Sequence, residues 1–176
     1  MEKNKIITAI VVVVILATVA VLGMNWRNSG TSVVSPEGSA NGVATRGSVP
    51  LGITVPDAES EGVGNEIARP ELVAAAGPGT LAKFRRFSLR MENNQFVPAT
   101  VVVGRGDSVM LNLSAIDRAY AFTLPDYGIN VEVAQGETRS VRFGASAADK
   151  FMFYCGSCGG PTSGPVGYLI VVNQNK

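Results

Sequence analysis

The hydrophobic pattern of the chain changes twice. Residues 6–24 read IITAIVVVVILATVAVLGM, with no charge in the run. Residues 28–82 then mix Gly, Ser, Thr, Pro, Val and Glu with no sustained period of two or 3.6. From residue 83 onward, apolar and polar positions alternate in short segments separated by turn residues, the pattern of strands with one face buried. Phe87, Leu89 and Met91 alternate with Ser88, Arg90 and Glu92, and Asn93-Asn94 makes a turn. A second strand is predicted over 96–103, with Pro98 placing it at an edge or a bend. Gly104-Arg105-Gly106-Asp107 turns the chain into Val109, Leu111 and Leu113, and further strands are predicted over 130–133, 138–143, 151–155 and 167–172. About seven or eight strands with no long helical period predict an all-β fold, a single antiparallel β-sandwich over residues 83–176.

As a helix, residues 6–24 would reach about 28 Å, close to the ~30 Å hydrocarbon core of a bilayer. Lys3 and Lys5 precede the run, and Trp26 and Arg27 follow it. The positive-inside tendency then keeps Met1 in the cytoplasm and sends the remainder outward. Residues 1–27 are therefore read as a transmembrane signal anchor, single-pass in the cell membrane, with the C-terminal domain extracytoplasmic. The alternative is a cleaved signal peptide, whose apolar region ordinarily spans ~7–15 residues; Thr18-Val19-Ala20 is a poor cleavage site for one. Residues 28–82 are read as a flexible extracytoplasmic linker, because segments such as SPEGSANGVATRGS bury too little apolar surface to offset chain entropy. Within it, PELVAAA at residues 70–76 predicts a short helix with Pro at its first turn, ended by Gly77-Pro78-Gly79.

Composition narrows the chemistry. A net charge of +1 argues against general affinity for nucleic acid. The basic cluster Arg85, Arg86 and Arg90 is read as solvated charge on a strand face. Two cysteines are too few for a disulfide scaffold. Histidine is absent from the sequence, which excludes Ser/His/Asp catalysis. No catalytic dyad, phosphate loop or zinc cluster is evident, and no enzymatic activity is expected.

The most informative motif is Cys155-Gly-Ser-Cys158-Gly159, placed directly after the aromatic strand Phe151-Met152-Phe153-Tyr154. Two cysteines this close supply the thiolate half of a copper site, and the imidazole half is missing. Gln95-Phe96-Val97-Pro98, then Val101-Val102-Val103 and Gly106-Asp107, resemble the opening of cupredoxin domains. The stretch from Ser114 through Asp117, Tyr120 and Phe122 resembles the segment that carries the first histidine ligand. Leu124-Pro125-Asp126-Tyr127-Gly128 and the block from Cys155 to Gly167-Tyr168 complete the order. Together these motifs resemble the dinuclear copper (CuA) domain of cytochrome c oxidase subunit II and nitrous oxide reductase. The resemblance covers nearly all of residues 84–173 and implies a cupredoxin-like Greek-key sandwich.

It also implies a ligand set of two bridging cysteines, two histidines, a methionine and a backbone carbonyl. Here Tyr120 stands at the upstream histidine position, Thr162 at the downstream one and Pro165 at the methionine position. The cysteines are one residue closer than the family pattern. Tyr120 would have to lose a proton to ligate, Thr162 offers a neutral hydroxyl, and the Pro165 side chain offers nothing. Three readings of Cys155 and Cys158 follow: a structural disulfide outside the membrane, a reduced pair holding a soft ion such as Cu(I), or a thiol–disulfide redox centre. Met152 would be a third soft ligand, but strand alternation sets it on the face opposite Cys155. The chain as a whole reads as a membrane-anchored, redox-silent binding or structural module with no resident cofactor. The alternative is a copper-binding electron-transfer or Cu(I)-carrier protein using Cys155 and Cys158. A protein partner would belong to a respiratory or copper-handling setting.

Overall fold

The computed structural model describes residues 46–60 and 64–174. The predicted anchor over 6–24 lies outside the described residues. Among those residues no helix is long and apolar enough to cross a membrane. The strands are β1 (Arg46–Gly47), β2 (Leu72–Ala75), β3 (Lys83–Glu92), β4 (Gln95–Val97), β5 (Thr100–Gly104), β6 (Ser108–Ala115), β7 (Tyr120–Leu124), β8 (Ile129–Val133), β9 (Thr138–Gly144), β10 (Asp149–Cys155) and β11 (Val166–Val172). One sheet runs β5-β11-β10-β7-β8, with β1 also on β10; the other runs β2-β3-β6-β9, with β4 also on β3.

The alternation in the sequence puts one set of side chains between the sheets. Phe87, Leu89 and Met91 of β3 face Val101 and Val103 of β5, Leu169 and Val171 of β11, and Phe151 and Phe153 of β10 in one core cluster. Phe96 meets Phe153 edge-on, with ring centroids 5.0 Å apart, a favoured arrangement of ring quadrupoles.

Several expectations change. The sandwich is mixed rather than antiparallel, because β3 pairs with β6 and β5 with β11 in parallel. The single strand expected over 96–103 is broken at Pro98, which follows a cis peptide bond. Proline has no N–H for a ladder, and the chain changes sheets there, from β4 beside β3 to β5 beside β11. Arg85 is not solvated. It shares the inward parity of Phe87 and Leu89 and is 3% exposed. Its Nε donates to Asp107 Oδ2 at 2.7 Å. Asp107, fully buried, also accepts from the backbone N–H of Gly104 and Lys83 and from Gln174 Nε2. A buried charge pair persists when its remaining hydrogen-bonding capacity is filled in this way.

Part of the range read as a linker pairs with the sandwich. The helix expected over 70–76 is instead the edge strand β2, antiparallel to β3 from Leu72↔Arg86 to Ala75↔Lys83. So short a helix cannot sustain itself, whereas the edge of β3 offers a ladder. Arg46 and Gly47 lie opposite Phe151 and Lys150, and Ile67 bridges to Thr100.

Candidate functional site

The end of β10 builds the cysteine loop. Phe151, Phe153 and Cys155 point inward and are buried, whereas Met152 and Tyr154 are half-buried on the opposite face. Met152 is thereby held off the sulfur side, in keeping with strand parity. The Cys155 N–H donates to the Pro165 carbonyl at 3.1 Å, which closes the loop at its base. A single 3-10 turn, Gly156–Cys158, follows, and then a one-turn helix, Gly160–Ser163. Gly159 joins them at φ 104°, a conformation that L side chains rarely adopt. At Gly164 a Cβ would lie 2.8 Å from the Gly160 carbonyl and 3.0 Å from that of Cys158, so only glycine fits.

Cys155 and Cys158 are joined by a disulfide, with Cα atoms 5.3 Å apart. Cys155 is fully buried and Cys158 half-buried. Ser157 sits between them, its Oγ 3.5 Å from Cys155 Sγ and 3.9 Å from Cys158 Sγ. That hydroxyl accepts from the Ala121 N–H at 3.1 Å and so ties the loop to β7.

The three positions that the sequence resemblance sets against copper ligands make other contacts. Tyr120 is buried, and its hydroxyl donates to Asp117 Oδ1 at 2.8 Å while accepting from the Asn94 N–H at 3.3 Å. Asp117 also accepts from the Asn93 N–H. The Tyr120 hydrogen bond chiefly, then the backbone bonds, holds the Asp117 carboxyl below its ordinary value. Arg118 lies over the Tyr120 ring, 4.9 Å from its centroid. Thr162 is exposed on the short helix. Pro165 offers only a carbonyl, and Cys155 already uses it. A cleft of about 350 Å³ opens beside the loop, lined by Tyr120, Glu132, Val133, Glu137, Arg139 and Ser157.

The donors do not fit the copper centre that the sequence resemblance implies. The two sulfurs are bonded to each other, the phenol proton is committed to a carboxylate, and no imidazole exists in the chain. Among the described residues no three His, Cys, Asp or Glu side chains converge on a point. Sequence reasoning missed Ser157 and Asp117. Asp117 stands three residues before Tyr120 in a turn, where no apolar period marks it.

No protein-family model matches the sequence, and no curated protein does. Solved structures do match in chain path. One is the metal-binding domain of the Cu(I)-exporting P-type ATPase CopA of Streptococcus pneumoniae, 17% identical over 62% of this chain and 99% of that one, with a TM-score of 0.48. Another is auracyanin A, a "blue" copper protein of Chloroflexus aurantiacus, 18% identical over 51% and 99%, with a TM-score of 0.42. A third is the periplasmic domain of cytochrome oxidase subunit II of Bradyrhizobium japonicum, 21% identical over 47% and 61%, with a TM-score of 0.39. These neighbours are cupredoxin-like domains. The likeness is one of chain path.

Proposed function

We propose that this chain is a membrane-anchored, extracytoplasmic, cupredoxin-like module without enzymatic activity, whose copper-loop position is closed by a disulfide and which serves binding or structure rather than electron transfer. The observation that carries the reading is the Cys155–Cys158 bond itself. Joined to each other, the sulfurs are neutral and no longer the thiolates that bind a soft metal, in a chain with no histidine to complete a redox site. Persistence of a disulfide favours an oxidising compartment. The charge-free run at 6–24, preceded by Lys3 and Lys5, supports the same side of the membrane. A partner from a respiratory or copper-handling assembly remains the setting suggested by the sequence motifs.

One labelling experiment tests bond and location together. Intact cells expressing the full chain are treated with a membrane-impermeant maleimide, with and without an impermeant phosphine reductant. The expected outcome is no label before reduction and label on Cys158 after it. Label without reductant contradicts the disulfide, and label that appears only after cell lysis contradicts the extracytoplasmic placement.

A further inference from the structure

The outer face of the β5-β11-β10 sheet carries buried apolar side chains that the inter-sheet core does not explain. Val102 and Ile170 are 0% and 4% exposed. Both have the parity opposite to the inward Val101, Val103, Leu169 and Val171, and neither belongs to the core cluster. They lie in one cross-strand row, since Lys150 stands opposite Ile170 and Ile170 opposite Val102. Gly47 stands opposite Lys150 at the end of that row.

From Gly47 the chain runs on to Pro56 and Asp57, which are fixed at another point of the sandwich. Arg85 Nη1 donates to the Pro56 carbonyl at 2.6 Å and to Asp57 Oδ1 at 3.2 Å, and Lys83 Nζ lies 3.4 Å from the same oxygen. Between these fixed ends Val49, Ile53 and Val55 are half-buried. The near end has its own charge pair, Arg46 Nε to Asp126 Oδ1 at 2.5 Å, with the guanidinium also 5.6 Å from the Phe151 ring centroid.

We infer that residues 46–57 form a strap across this face, seated on Val102 and Ile170 and held at its ends by two charge latches, and that it lifts as a unit while the sandwich stays folded. The charge arithmetic permits that separation. When the strap leaves, Arg85 keeps its bond to Asp107, and Asp126 is the charge that gives up its partner. Each latch has a solvent-facing member, Arg46 at 62% and Asp57 at 50% side-chain exposure, opposite a covered one, Asp126 at 10% and Arg85 at 4%, so salt reaches each pair from one side. The ladder that fixes the near end is only two residues long. Segments with few buried contacts open at lower cost than the core they cover. Opening would uncover an apolar row, Val102 and Ile170, on that sheet face.

Thiol protection in the full chain tests the strap. Val102→Cys places a reporter under it, and Leu111→Cys places one in the inter-sheet core. Adding Asp57→Asn with Asp126→Asn should speed maleimide labelling at position 102 about tenfold, the effect of weakening the closed state at both latches, with position 111 still protected. Should the doubly substituted chain fail to fold, the same two reporters in chains with both latches intact are compared at rising ionic strength, where only position 102 should accelerate. Rates that rise together at both positions, or no acceleration at position 102, overturn the inference.

Discussion

At Tyr120 a single proton decides what the side chain can do. The hydroxyl donates it in a hydrogen bond to Asp117 Oδ1, so a metal at that oxygen would have to displace it. The resemblance to copper domains identified this position from sequence. The acceptor was not legible in the same way, because a turn residue with no periodic partner carries no pattern. Ser157 escaped for a related reason: a small residue between two cysteines reads as spacer until β7 is placed beside it. The pairing has a pH signature. Asp117 titrates below its ordinary value of 3.8 in the folded chain, with the Tyr120 hydrogen bond the largest cause. A lowered folded value means that the contribution is fully present above the unfolded value and is lost as pH falls through the folded one. Tyr120→Phe should therefore raise the Asp117 titration midpoint toward 3.8, followed by carboxyl NMR, and shrink the acid-side loss of stability. An unchanged midpoint would show that the backbone donors alone set it.

Among the elements, strand existence was legible and sheet membership was not. Alternation marked β3, β6 and β10 because each buries every second residue. It could not show that Pro98 sends the chain across to the other sheet, nor that strands far apart in sequence would pair in parallel. The Leu72–Ala75 segment misled because alanine favours helix, and only the free edge of β3 makes it a strand. Arg85 is the instructive case. Its parity with Phe87 and Leu89 already placed it inside, and its partner lies 22 residues away in a turn. Removing that partner leaves a guanidinium buried without its charge. Asp107→Ala should cost about 3–5 kcal/mol in denaturant unfolding, whereas Arg90→Ala, on the exposed side of the same strand, should stay within ~0.5 kcal/mol. Equal effects at the two positions would mean that the pair is not what fixes that corner.

For the molecule as a whole, the sequence motifs reached the sandwich before the structure did, because short alternating strands punctuated by glycine and proline turns are legible from the chain alone. The cysteine pair could be narrowed to three chemistries but not resolved, since a Cys-x-x-Cys spacing is compatible with all of them. The loop path resolves it by bringing the two sulfurs together, with Gly159 and Gly164 allowing the tight return. The account stands on this loop being closed to redox copper. The full chain, reduced under anaerobic conditions, loaded with copper and stripped of excess metal, should give neither a mixed-valence EPR signal nor intense thiolate-to-copper absorption. Stoichiometric copper with both signatures would contradict it.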